Sequence, residues 1–449
     1  KQGEGTLTID TANDYSGGTR LEGGTLIAGN SAAFGSGGLE LVNGTLDLNG
    51  NTIGNTIYVS EGAEVTAKNG TSTADFMLTN VKSYTADNFR VLADSISMIG
   101  DGETSAASFV NLSVTDNSSS TYQGGYFSGT TISISGMNEL TMGSARIIKQ
   151  HALVNGGLIN GTSVELSQNG LLQLSGNTMS VSGSLSKYNG GLVYATTLSM
   201  LKNEGVKIFA NTFDVASGLY GGLLNASTID VVRNGELLIN KNTVRMSYSG
   251  KGGILYGSVI NLVNNDAVSM VDNTIAASSD NLYGGLIYAK NLNLKNNGSV
   301  DLCGNTVTLK PWYASSSTQS DLFGALVYAD KISMEGNASL KINGNDASAR
   351  EDINGGVVRT ASLAIQDNKL VEIVGNTIGE ADTYSGYSIN GGVIYTSGAV
   401  LVTGNDEVVI RGNVAERVRG EVLGGFVYQT GSSTICLAGN GDIEISGNA

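Results

Sequence analysis

The chain has 449 residues, with 63 Gly against a single Pro, 40% apolar and only 14% charged residues. So low a charge density excludes a long polar disordered tail or a charged coiled coil. A net charge of −15 excludes a nucleic-acid partner, because binding to phosphates by counterion release needs clustered Lys and Arg. No run of about 18 apolar residues marks a membrane span. Lys1-Gln2-Gly3-Glu4 lacks the apolar core of an export signal, so the chain reads as a segment of something longer. Proline is kept out of hydrogen-bonded ladders while glycine permits corners with positive φ, so the skewed pair predicts a chain that turns often and pairs nearly everywhere.

The first 70 residues repeat with a short period: Gly5-Thr6-Leu7, Gly24-Thr25-Leu26 and Gly44-Thr45-Leu46 are 19 and 20 apart. Leu92-Ala93-Asp94-Ser95-Ile96-Ser97-Met98 then echoes Tyr328-Ala329-Asp330-Lys331-Ile332-Ser333-Met334. Gly124-Gly125-Tyr126-Phe127 opens a decayed unit, with Ala145 where later units carry Asn. From Gly156 onward a small pair followed by aliphatics recurs at Gly190, Gly221, Gly252, Gly284, Gly324, Gly355, Gly391 and Gly424. We therefore expect one continuous solenoid with short coils over 1–87 and long coils over 88–449.

Each long unit carries two Asn residues eight apart. The first row is Asn169, Asn203, Asn234, Asn265, Asn297, Asn337, Asn368, Asn405 and Asn440; the second is Asn177, Asn211, Asn242, Asn273, Asn305, Asn345, Asn376, Asn413 and Asn448. Length varies only between the second Asn and the next small pair, from 10 to 19 residues. Apolar residues alternate with period two, as at Leu292 and Leu294, then Val300 and Leu302, which is the strand signature. Three short strands per coil follow: after Gly-Gly, before the first Asn, and between the Asn residues. Stacked, these units predict an all-β, right-handed parallel β-helix of about 14 or 15 coils, about 70 Å long at about 4.8 Å per coil. Asn tolerates the left-handed corner conformation, and its amide both donates and accepts, so each row is expected to bond up the stack as a structural ladder.

A Tyr row at Tyr194, Tyr256, Tyr288, Tyr328, Tyr395 and Tyr428 reads first as a stacking ladder, with sugar binding as the alternative; the pattern leaves its face open. The candidate binding residues lie on the two longest loops, since loops on a rigid scaffold carry recognition. One holds Lys310, Trp312 and Tyr313 beside the only Pro, and the other holds Asp382, Tyr384 and Tyr387. Both are expected on one edge, two coils apart.

Catalytic inventory is thin. His151 is the only histidine, which excludes His-based triads and multi-His metal sites. Cys303 and Cys436 fall four coils apart, too far for a disulfide. The outward column Gln173, Lys207, Leu238, Ser269, Asp301, Lys341, Glu372, Val409, Glu444 never stacks carboxylate on carboxylate, as a β-helix hydrolase or calcium-dependent lyase would want. No catalytic residue, metal or cofactor is expected.

The stretch from Gly5 to Leu26, through Asn13-Asp14-Tyr15-Ser16-Gly17-Gly18-Thr19-Arg20-Leu21-Glu22-Gly23-Gly24, closely resembles the passenger-associated transport repeat of bacterial autotransporters. The long units are similar to the repeats of chlamydial polymorphic outer-membrane proteins, with Gly-Gly-[Leu/Val/Ile] in place of Gly-Gly-Ala-Ile and Leu174-Ser175-Gly176-Asn177 in place of Phe-x-x-Asn. The resemblance implies a type V secreted passenger, displayed outside the bacterial outer membrane and tethered through a C-terminal barrel beyond this segment. Loops of up to 19 residues on one edge tilt the expected role toward adhesion or surface display, binding a host-cell surface protein or glycan, by a chain expected to be monomeric. A passive stalk is the rival, and a polysaccharide-active enzyme comes third.

Overall fold

The computed structural model describes residues 1–116, 121–150, 153–183, 187–278, 280–310, 320–380, 388–416 and 420–449. Every registered strand pair is parallel. One column of partners runs Thr6, Thr25, Thr45, Thr66, Thr85, Ser108, Thr141, Gln173, Lys207, Leu238, Ser269, Asp301, Lys341, Glu372, Val409, Glu444 without a break. Along the middle of the stack the residues on either side of a column member point into the core, such as Val300 and Leu302 around Asp301, whereas Leu7 beside Thr6 and Ile443 and Ile445 around Glu444 are exposed in the end coils. This is the expected parallel β-helix.

The three expected strands form one 32-stranded sheet that winds round the axis. In the long coils the first two merge into a nine-residue strand bent at its middle, as in Ile287–Lys295, followed by the inter-Asn strand Ser299–Cys303. The elastic segment after the second Asn is more ordered than the repeat suggested. It holds a four-residue strand such as Thr306–Leu309 and, just before the small pair, a two-residue strand such as Leu322–Phe323. These stack into two further sheets of ten strands each. Period-two alternation is too short to register in a strand of two to four residues, which hid them in the sequence.

The additional sheets start at Ser113–Asp116 and Tyr122–Gln123, so the coil widens there rather than at residue 88, where the motif changes. Aromatic side chains fill the widening core. Phe76, Tyr84, Phe109 and Tyr126 follow one another at ring separations of 5.4, 5.8 and 5.7 Å, with Phe127 at 4.6 Å from Phe109. Tyr126 reaches past them to donate its hydroxyl to the Gly143 carbonyl at 2.8 Å.

Both Asn rows form continuous ladders. Asn273 donates its backbone N–H (3.0 Å) and its Nδ2 (3.1 Å) to Oδ1 of Asn305, and its Nδ2 also reaches the Ile239 carbonyl (2.9 Å). Its own Oδ1 accepts the N–H and Nδ2 of Asn242 at 3.1 and 2.9 Å. The same pattern joins Asn265 to Asn297 in the first row. From Asn169 to Asn413 these side chains are buried, so each amide closes polar groups that no water reaches. The left-handed corner conformation, however, belongs to the residue before each ladder Asn: Asp272 has φ 55° and Asn296 φ 53°, and glycine takes the place at Gly304 and Gly336. The amide can then point inward from an ordinary backbone while its predecessor makes the bend.

The first residue of each small pair makes a second sharp corner. Gly284 has φ +59°, and a Cβ there would lie 2.0 Å from the Ile287 carbonyl oxygen. Turning this tightly buries two successive aliphatics, Leu286 and Ile287, so the next residue, Tyr288, faces outward. This settles the face of the Tyr row.

Candidate binding surface

The two long loops spring from equivalent places. Leu309, Ala349 and Glu380 are successive partners in the second sheet, so the residues at which the two loops start lie two rungs apart on one edge. Trp312, Tyr313, Asp382, Tyr384 and Tyr387 themselves lie outside the described residues, as does His151. Lys310 is described: it is exposed, and its N–H bonds the Ala277 carbonyl at 2.9 Å, carrying the second sheet's pairing one residue further.

Beside this edge runs a strip of half-buried aromatic side chains built from two neighbouring columns. The Tyr row pairs as Tyr194, Asn225, Tyr256, Tyr288, Tyr328, Arg359, Tyr395 and Tyr428. Its middle is stacked: Tyr256 to Tyr288 at 5.3 Å and 11°, Tyr288 to Tyr328 at 5.1 Å and 4°. The second column comes from the residue immediately before each small pair and runs Asn189, Tyr220, Lys251, Tyr283, Phe323, Asn354, Asn390. Sequence reading passed over it, although reading down that position would have shown aromatics clustered in the central units. Tyr283 stacks on Phe323 at 4.8 Å and meets Tyr328 edge-on at 5.6 Å and 90°.

Two cations lie on these rings. Lys251 Nζ is 5.6 Å from the Tyr283 ring and 5.1 Å from that of Tyr288; the Arg359 guanidinium is 4.3 Å from Phe323, 5.5 Å from Tyr328 and 4.9 Å from Tyr395. Burial, reinforced by Tyr328 and Tyr256, pushes the Tyr288 phenol up to about 12, so its hydroxyl stays protonated and available as a donor. Near Arg359, Asp321 is pushed up to about 6 by burial and by the neighbouring charges of Asp352 and Glu351.

Two open grooves of 610 and 570 Å³ lie where the coil widens, the first lined by Asp75, Asp94, Gln123 and several Thr and Ser residues, the second by Asn69, Asn88, Arg90 and Ser113 among others. Lysines of the outward column form salt bridges, Lys207 to the neighbouring Glu236 at 3.7 Å and Lys341 to Glu372 at 3.1 Å. Both cysteines are free thiols.

Comparison with known proteins points the same way as the fold. The passenger-associated-transport-repeat family matches residues 1–28. The adhesin BmaC autotransporter of Brucella suis biovar 1 (strain 1330) is 49% identical over 53 residues, which is 11% of this chain and 2% of that protein. No solved structure matches the chain. The likeness of the long coils to chlamydial repeats rests on their sequence motifs alone. The head of the chain is thus similar to the transport repeat of autotransporter passengers, and the parallel β-helix behind it is consistent with that likeness.

Proposed function

We propose that this segment is the adhesive shaft of a surface-displayed autotransporter, secreted across the bacterial outer membrane. It binds a host-cell surface protein or glycan through the loop edge and the adjoining aromatic strip. The observation that supports this reading is that the strand ends from which the two longest loops start, Leu309 and Glu380, lie on one edge beside the half-buried aromatic columns. Trp, Tyr and Arg are the side chains that most often dominate interface energetics, and here they concentrate within a few coils. The lean coils up to Val110 lack the second and third sheets and hence the loop edge, which favours a spacer role for them. The matched relative is itself named an adhesin, which supports binding over catalysis. To test the reading, immobilised chain is compared with Trp312→Ala and with a variant whose 311–319 and 381–387 loops are replaced by short Gly-Ser links. Wild type should hold cultured epithelial cells and the double-loop variant should lose at least tenfold of that adhesion; equal adhesion removes the loops from the account.

A further inference from the structure

We infer that the centre of the aromatic strip is a docking trough for an extended acidic segment of a partner protein, a reading that rests on the adhesin proposal and sharpens it. Tyr283, Tyr288, Phe323 and Tyr328 form its floor, and Lys251 and Arg359 stand at its two ends. Three coils separate the backbones of the two cations, about 14 Å along the axis. An extended peptide covers that span in about four residues at about 3.3 Å each, which returns its side chains to the same face. Carboxylates near the two ends of such a segment would meet one cation each, and the apolar side chain between them would lie on the rings.

Three features favour this occupant. The first is charge: in a chain of net charge −15, Lys207, Lys295, Lys341 and Arg411 each have a carboxylate partner within 4 Å. Lys251 and Arg359, like some other cations such as Lys202 and Arg233, have none among the described residues, but unlike those two they lie against aromatic rings. A stacking ladder needs no charge at all, and Arg359 occupies a place where its neighbours on both sides are Tyr. The second is shape: both faces of Tyr288 are covered, by Tyr256 and by Tyr328. A sugar ring binds by laying its apolar face on a free aromatic face; this floor offers ring edges and phenolic hydroxyls, which suit peptide groups and side chains. The third is desolvation: half-buried rings around a cation exclude water and strengthen its pairing with an incoming carboxylate. Asp321, which faces Arg359 electrostatically, competes with the ligand at that end.

The test uses the whole chain and synthetic probes. A twelve-residue peptide alternating Glu and Val is titrated by calorimetry beside its Gln-Val counterpart and beside heparin as an anionic glycan. The acidic peptide should bind, the neutral one at least tenfold more weakly, and the double variant K251Q/R359Q should lose at least tenfold for the acidic peptide. Y288L, which keeps an apolar side chain on the outside, should weaken binding without changing the circular dichroism. Heparin binding with no peptide binding, or peptide binding indifferent to K251Q/R359Q, overturns the proposal. Cell adhesion measured on the same variants separates the two readings: undiminished adhesion by K251Q/R359Q without peptide binding sinks the trough alone, whereas absent wild-type adhesion sinks the adhesin reading itself.

Discussion

The lean coils before Val110 and the long coils after Ser113 share one winding sheet and one uninterrupted column, yet they close their corners differently. Lean corners turn on single residues in the left-handed conformation, Asn49, Asn69 and Asn88, with φ of 49°, 54° and 51°; their side chains are partly exposed and make at most one bond to a neighbouring coil, such as Asn69 Nδ2 to Asp47 Oδ1 at 3.3 Å. Long corners hand the bend to the preceding residue and send a buried amide up the stack. The difference teaches what the extra residues cost and supply. Inserting two sheets between the inter-Asn strand and the next coil leaves more buried backbone at the corner, and the ladder satisfies it; in return the coil gains an edge on which loops can vary without disturbing the core.

Breaking a ladder should therefore hurt far more than breaking a lean corner. Asn273→Ala leaves the Asn242 amide and the Ile239 carbonyl without their partner, and about 3 kcal/mol of stability should be lost. Asn69→Ala, which forfeits mainly the tolerance of a left-handed backbone, should cost about 1 kcal/mol. Urea denaturation of the two variants checks the ratio, and similar midpoints would mean the buried amides contribute nothing special. Between them falls Gly284→Ala, where a side chain is strained by φ +59° and meets the Ile287 carbonyl; a loss of about 2 kcal/mol is expected.

A smaller effect separates the loop edge from the lean coils by pH. Burial raises the Asp321 carboxyl from an ordinary value near 4 to about 6, so between those values the folded chain binds the proton more tightly than the unfolded chain does. Its contribution to stability is therefore greatest below pH 4 and falls as pH rises through 6. Lowering the pH from 7 to 5 should raise the melting temperature of wild type relative to Asp321→Asn, and parallel shifts in both would remove Asp321 from the explanation.

Much of this was legible in the sequence because a solenoid repeats its physics. Period-two pairs such as Val300 and Leu302, and the eight-residue Asn spacing, announced strands and ladders directly. The second and third sheets were not legible, since strands like Leu322–Phe323 are too short to show a period. The ladder corners were misplaced by one residue because Asn is itself a favoured left-handed residue, and only hydrogen-bond geometry separates the residue that bends from the one that bonds. Of the candidate surface, the Tyr row was visible but its direction was not, because two successive buried aliphatics at a glycine corner break the alternation. Lys251 and Arg359 were invisible for a different cause: each stands where neighbouring coils carry aromatics, and a cation in an aromatic column gains its meaning only when the rings are seen around it.

The central claim is that binding resides on the edge added by the long coils, with the lean coils as scaffold. Adhesion of cultured epithelial cells to the immobilised chain tests it most directly, comparing K251Q/R359Q in the strip with Thr66→Arg/Thr85→Arg on the outward face of the lean coils. The account predicts at least a tenfold loss for the first pair and none for the second; adhesion lost with the lean pair and kept with the strip pair would contradict it.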